Sequence, residues 1–283
     1  LDVNKHARGH EYYSARALRV SPDNKILAFG EDTLSRRIYT IRFIDLETGE
    51  FMQDEIPNTT GSGAWASDNA TYFYTAKNKQ TLLSEKIVRH RLGQDATQDQ
   101  VVYHEKDPSF YISVGRSKSG EYIIINEHST LVSDYHILAA DNPLGEFQGF
   151  TPRGEAHEYR IAHANGKFYI LTNWGAQNFR LMETPENATE KENWKEVIPH
   201  REDVYLGDYE VFRDYLVLEE RENAQLRLRV INPAENTDYH IAFDEPAYSV
   251  YIGSNPELDT ESLQFVYSSF TTPSSVYAYN MAT

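Results

Sequence analysis

Two acids and two arginines crowd into the seven residues Glu31-Asp32-Thr33-Leu34-Ser35-Arg36-Arg37, between one apolar stretch and the next. An arginine presents a planar fork of N–H donors that grips a carboxylate through two parallel hydrogen bonds, so an exposed pair here could act as a polar latch. The plainer reading is a solvated loop whose charges neutralise one another. Other chemistry is poorly provided for. Of the 10 histidines, His10-Glu11 and His157-Glu158 each lack a second His one helical turn on, and H-E-x-x-H is absent. No G-x-S-x-G elbow, P-loop or G-x-G-x-x-G occurs, and Gly61-Ser62-Gly63 reads as a small-residue turn opening a sheet. Loop carboxylates are plentiful, but nothing selects one pair for glycosidic chemistry. The residues therefore predict no catalytic group, no metal and no cofactor.

The elements that would position such a loop repeat. Polar turns fall at Ser21-Pro22-Asp23-Asn24, Ser67-Asp68-Asn69, Ser117-Lys118-Ser119-Gly120, Ala164-Asn165-Gly166, Arg213-Asp214 and Asn255 to Asp259. They recur roughly every 45–50 residues, the period of a propeller blade. Each has a short apolar run on both sides and two further strand-like stretches after it. Four short strands cannot bury both faces of their own sheet, so such units must stack on neighbours. In each unit the second stretch reads as a continuous apolar run, such as Ile26-Leu27-Ala28-Phe29, and the third alternates, which suits an inner and an outer strand. The sixth unit ends one strand short, and before Ala15 only Tyr12-Tyr13 and Leu1 to Asn4 remain, like the tail of a preceding unit. Thr184 to Trp194 allows at most a turn of helix. The expectation is an all-β fold: a β-propeller of four-stranded antiparallel blades, about six of them represented, in one domain over 1–283.

Composition narrows the partners. The chain has 283 residues, 20 Tyr and 13 Phe, which suits sheets covered by other sheets rather than a disordered chain. With 27 basic against 43 acidic residues the formal charge is −16, which would repel a phosphate backbone and excludes nucleic acid as an expected partner. The same charge would concentrate cationic ligands, although excess acid also simply aids solubility. There are 0 cysteines, so no disulfide framework is expected. No run nears the roughly 18 apolar residues of a membrane span. Leu1-Asp2-Val3-Asn4-Lys5-His6 is no signal peptide and has no initiator Met, which fits a segment of something longer. Asn58-Thr59-Thr60, Asn69-Ala70-Thr71 and Asn187-Ala188-Thr189 fit the glycosylation pattern by chance.

The stretches Glu11-Tyr12-Tyr13-Ser14, Ser21-Pro22-Asp23-Asn24, Leu34-Ser35-Arg36-Arg37, Ile41-Arg42-Phe43 and Leu46-Glu47-Thr48-Gly49 carry a resemblance. Phe110-Tyr111-Ile112-Ser113-Val114, His157-Glu158-Tyr159, Val217-Leu218-Glu219-Glu220-Arg221 and Ile241 to Tyr248 extend it. Tyr267-Ser268-Ser269-Phe270-Thr271-Thr272-Pro273 looks like a final-blade signature. In order along the whole chain, these segments resemble the propeller of the oligopeptidase B group in the prolyl oligopeptidase family of serine peptidases.

The resemblance implies a seven-bladed propeller paired with an α/β-hydrolase domain that carries the Ser, Asp and His. That domain, most of a first blade and the closing strand of the last are outside this sequence, so it should be inactive alone. By the resemblance, such a propeller filters substrates, admitting short peptides and excluding folded proteins. Cleavage follows Lys or Arg in a cytoplasmic enzyme, and the partners are the catalytic domain and short basic peptides. Arg37 and Glu11 match positions of polar contact with the catalytic domain, and Arg36 and Asp32 join them by adjacency. The alternatives are a free-standing protein-binding propeller, disfavoured by the lack of Gly-His and Trp-Asp dipeptides, and a propeller glycosidase. The S-x-D-x-G-x-T-W motif of sialidase propellers is also missing.

Overall fold

A computed structural model describes residues 1–153 and 157–282. The chain divides into two compact units, Leu1–Arg153 and residues 154–283. In the first, a short helix α1 (Val3–His6) precedes β1 (Ser14–Val20), β2 (Ile26–Asp32), β3 (Tyr39–Asp45), β4 (Phe51–Trp65), β5 (Thr71–Lys77), β6 (Ser84–Arg91) and β7 (Gln100–His104). These seven strands form one antiparallel sheet in sequence order. β8 (Tyr111–Arg116), β9 (Tyr122–His128), β10 (Ser133–Ala139) and β11 (Gln148–Gly149) form a four-stranded meander.

The second unit holds a meander of β12 (Tyr159–Ala164), β13 (Lys167–Thr172), β14 (Arg180–Pro185) and β15 (Lys195–Ile198). A second comprises β16 (Val204–Val211), β17 (Leu216–Glu222), β18 (Gln225–Asn232) and β19 (Thr237–His240). The last has three strands, β20 (Tyr248–Ile252), β21 (Ser262–Ser269) and β22 (Ser275–Asn280). The expected strands therefore form, with adjustments. The start of the chain is helical at Val3–His6 rather than the tail of a strand unit. The fourth strand of the fifth meander ends at His240, so Ile241-Ala242-Phe243 lies beyond it. Burial along β9 and β21 alternates instead of running continuously, because one face of each is only half covered.

The seven-stranded sheet is two blades fused through one long strand. The first half of β4 pairs with β3, and the second half, from Thr59 to Trp65, pairs with β5. Gly61-Ser62-Gly63 lies inside this strand, where the sequence suggested a turn. Gly61 has φ +80, and a Cβ on Gly30 would meet the Gly61 Cα at 2.4 Å, so backbone passes against backbone with no room for side chains. The Thr59 hydroxyl donates to the Tyr39 carbonyl at 3.0 Å and accepts the Gly61 amide at 2.9 Å, which satisfies the irregular backbone at the crossover.

The polar turns work as the sequence anticipates. Asn24, Asn69, Gly120 and Asn165 all take left-handed φ, the conformation that Asn and Gly adopt at least cost. They also link consecutive blades: the Asp23 amide donates to Asn69 Oδ1 at 2.9 Å, and Asn165 Nδ2 donates to the Arg213 carbonyl at 3.0 Å. Between blades, inward side chains interlock. Phe43, Trp65 and Tyr72 meet with centroids 4.9–5.7 Å apart in edge-to-face arrangements, a geometry aromatic pairs favour. In the second unit Val217, Leu228, Val250 and Leu263 fill the equivalent space.

Candidate functional site

The Glu31–Arg37 segment is the turn joining β2 to β3, and its shape is set from within. Asp32, at the end of β2, is 2% exposed. One carboxylate oxygen accepts the Leu34 amide at 2.9 Å and the other the Arg37 amide at 2.8 Å. Asp32 is thus turned inward as a bracket for the loop backbone, the familiar use of a short acid before a turn. Within that bracket Ser35 (φ 58) and Arg37 (φ 54) are left-handed, a strain of about 1 kcal/mol each. A second clamp comes from 40 residues away: Lys77 Nζ, at the end of β5, donates to the Arg37 carbonyl at 2.8 Å. Nothing in the local sequence signals Lys77, because the contact exists only once two blades share β4.

The loop therefore holds a fixed form and projects Arg36 and Arg37 into solvent. Among the described residues, neither guanidinium forms an ion pair. Glu11 is likewise exposed. The register Ser14↔Asp32 brings the segment before β1 to the same blade end as the arginine loop. Below it, Arg42 lies 3.6 Å from Glu31 and 3.0 Å from Glu55. Burial first, and then the neighbouring Glu31 carboxylate, push the Tyr13 hydroxyl upward. Buried charge is consumed locally, leaving the two arginines and Glu11 as the unspent groups.

The other polar clusters are internally complete. His90 is fully buried, with Nδ1 2.8 Å from Asp99 and Nε2 3.1 Å from Asp54. The Tyr74 hydroxyl donates to Asp99 at 3.0 Å. Burial disfavours the His90 charge, but the flanking Asp99 and Asp54 outweigh it and raise its pKa. With both nitrogens engaged by carboxylates, this imidazole has no free position for general-base work. Asp54 and Tyr74 also line a cavity of about 430 Å³, together with Glu55, Asp95 and Thr97.

Arg153 gathers Glu105 at 2.7 Å, Asp134 at 2.9 Å and Glu127, with its guanidinium 4.4 Å from the Phe110 ring centre. Glu105 is buried, which opposes its charge. Hydrogen bonds from Arg153 and the Asp107 amide prevail and lower its pKa to about 2. In the second unit Glu220, 2% exposed, receives Arg201, Arg229 at 3.3 Å and His240 at 3.1 Å. Sequence reading did not single out these three clusters, since their partners lie on different strands.

The antiparallel meanders define an all-β propeller fold, an architecture that several families share. Comparison with known proteins says which. The sequence matches the family model described as prolyl oligopeptidase, N-terminal beta-propeller domain, over residues 1–283. It is 40% identical over 284 residues to dipeptidyl aminopeptidase BI of Pseudoxanthomonas mexicana, covering 100% of this chain and 39% of that protein. It is 33% identical over 286 residues to protease 2 of Moraxella lacunata, covering 100% of this chain and 41% of that protein. Its fold superposes on oligopeptidase B from Trypanosoma brucei with a TM-score of 0.88 at 27% identity, again over 100% of this chain and 41% of the other. The chain belongs to the prolyl oligopeptidase family, as its N-terminal β-propeller domain, and spans about two-fifths of the length of these relatives. No helix among the described residues is long and apolar enough to cross a membrane.

Proposed function

We propose that this chain is the substrate-gating propeller of a cytoplasmic serine-type oligopeptidase that cuts short peptides after Lys or Arg. The observation that carries this reading is the β2–β3 turn: a strained, doubly clamped loop whose two guanidiniums form no ion pair within the described residues. Strain of that kind persists where the surrounding structure over-determines it, and it clusters at functional positions. Arg37 and Arg36 would grip carboxylates of a catalytic domain, with Glu11 taking a basic group beside them. Breaking such contacts would let the two domains hinge apart and admit a peptide. Asp32 serves the same latch by holding the loop rather than by reaching across. The charge of −16 favours basic peptides as the attracted substrate.

The test is Arg37→Ala in the full-length gene product. Hydrolysis of an Arg-amide peptide should fall about tenfold in kcat/KM while thermal unfolding stays put, because exposed ion pairs contribute little to stability. Equal kcat/KM in variant and wild type would refute the latch. The 40% identity to a dipeptidyl aminopeptidase favours a second reading, release of dipeptides from free N-termini. Blocking the substrate's N-terminus separates the two: an endopeptidase keeps cutting, whereas an enzyme that requires a free amine stops. The free-standing binding propeller would instead show itself by a gene product without any peptidase activity.

A further inference from the structure

We infer that the turns joining the second and third strands of the blades carry apolar anchors that seat this domain on its catalytic domain. This deepens, and rests on, the reading just given. In the first unit these turns expose Leu34 (75%), Leu82 (47%) and Leu131 (64%), and in the second unit the equivalent turn exposes Phe270 at 97%. The turns joining first and second strands, at the opposite blade end, expose no large apolar residue among the described residues; that end offers Leu46 (42%) and Leu144 (70%) in its third-to-fourth turns. Isolated exposed apolar residues are ordinary on any surface. Recurrence at one position of the strand order, in four of the six units, is not.

The anchors are held rather than trailing. The Leu34 amide is bound by Asp32. Leu82 sits at φ 61, with its amide donating to the Asn78 carbonyl at 2.9 Å. The Leu131 turn is closed by the Ser129 amide on the Val132 carbonyl at 2.9 Å. Around Phe270, the hydroxyls of Thr271 and Thr272 donate to Glu245 at 2.7 and 3.0 Å, and the Ser269 amide donates to the Thr272 carbonyl at 2.9 Å. Apolar side chains on a preset backbone lose less entropy on docking than mobile ones. Two arguments select the occupant. Leu34 shares its turn with Arg36 and Arg37, so apolar and ionic contact would be continuous. The relatives also carry some 60% of their length beyond the region matched here, as the 39% and 41% coverage leaves.

The test compares the wild-type full-length gene product with Phe270→Ser, with Leu34→Ser plus Leu131→Ser, and with Leu144→Ser as a control at the opposite blade end. Limited proteolysis between the domains and small-angle scattering report docking without requiring peptidase activity. Both tip variants should be cleaved about tenfold faster and scatter as a more open particle, with unchanged thermal unfolding; Leu144→Ser should match wild type. Wild-type docking in both tip variants, or opening by Leu144→Ser as well, overturns the inference. Loss of self-association with intact docking would assign the tips to a second copy and overturns it too. Tip-dependent docking in a gene product that cleaves no peptide would refute the proposed function and leave the anchors standing.

Discussion

Replacing Asp32 with Ala removes the bracket from the arginine loop, and the size of the effect can be worked from its contacts. Two hydrogen bonds from amides to a charged, 2%-exposed carboxylate are lost, worth about 1.5–3 kcal/mol each. The loop is exposed, so water recovers about half, leaving a net loss of about 1.5–3 kcal/mol. Strain of about 1 kcal/mol at each of Ser35 and Arg37 works in the same direction once the bracket is gone. A loss of about 2 kcal/mol lowers the population of the clamped form about 30-fold. Amide hydrogen exchange at Leu34 and Arg37 reads this directly, and protection at both should fall by that factor while the core of β2 and β3 keeps its own. In the full-length gene product the same change should cost as much kcat/KM as Arg37→Ala, with Asp32→Asn falling between wild type and Asp32→Ala because one amide oxygen still accepts. Unchanged protection at Leu34 and Arg37 in Asp32→Ala would refute the argument.

Two buried polar clusters and the β4 crossover can be tested in the same way. His90 has a raised pKa, so its contribution to stability is complete below the unfolded value of about 6.5 and fades as pH climbs through the folded value; melting temperature should drop across that alkaline limb, and His90→Gln should flatten it. Arg153→Met strands Glu105, Glu127 and Asp134 and should cost about 3 kcal/mol by denaturant titration, less at pH 4 where protonation relieves the carboxylates; equal loss at both pH values would contradict the charge argument. Gly61→Ala forces a Cβ to 2.8 Å from the Tyr39 ring at φ +80 and should destabilise by about 2–3 kcal/mol, whereas Gly49→Ala, with open space around it, should cost about 1 kcal/mol from backbone strain alone.

Much of the fold was legible because turn chemistry is local. At Asn24, Asn69 and Asn165 the turn residues take left-handed φ, which Asn tolerates at little cost, and the spacing of these turns revealed the blades. The fusion of two blades through β4 was not legible, since Gly61-Ser62-Gly63 reads equally as a turn or as a place where two backbones touch, and only Gly30 decides. The arginine loop was visible as a charge cluster, but the inward role of Asp32 was not. Sequence adjacency grouped it with Arg36 and Arg37, whereas its carboxylate finds backbone amides first. Lys77, His90 and Arg153 escaped notice because each acts on partners from other strands.

The uninterrupted β4 has a mechanical consequence. A strand hydrogen-bonded on one side to β3 and, further along, on the other side to β5 leaves no seam between the first two sheets that can part without tearing a ladder. Residues 14–104 should then melt and exchange as a single cooperative block. Any slit that admits a peptide by spreading adjacent sheets must open elsewhere along the chain.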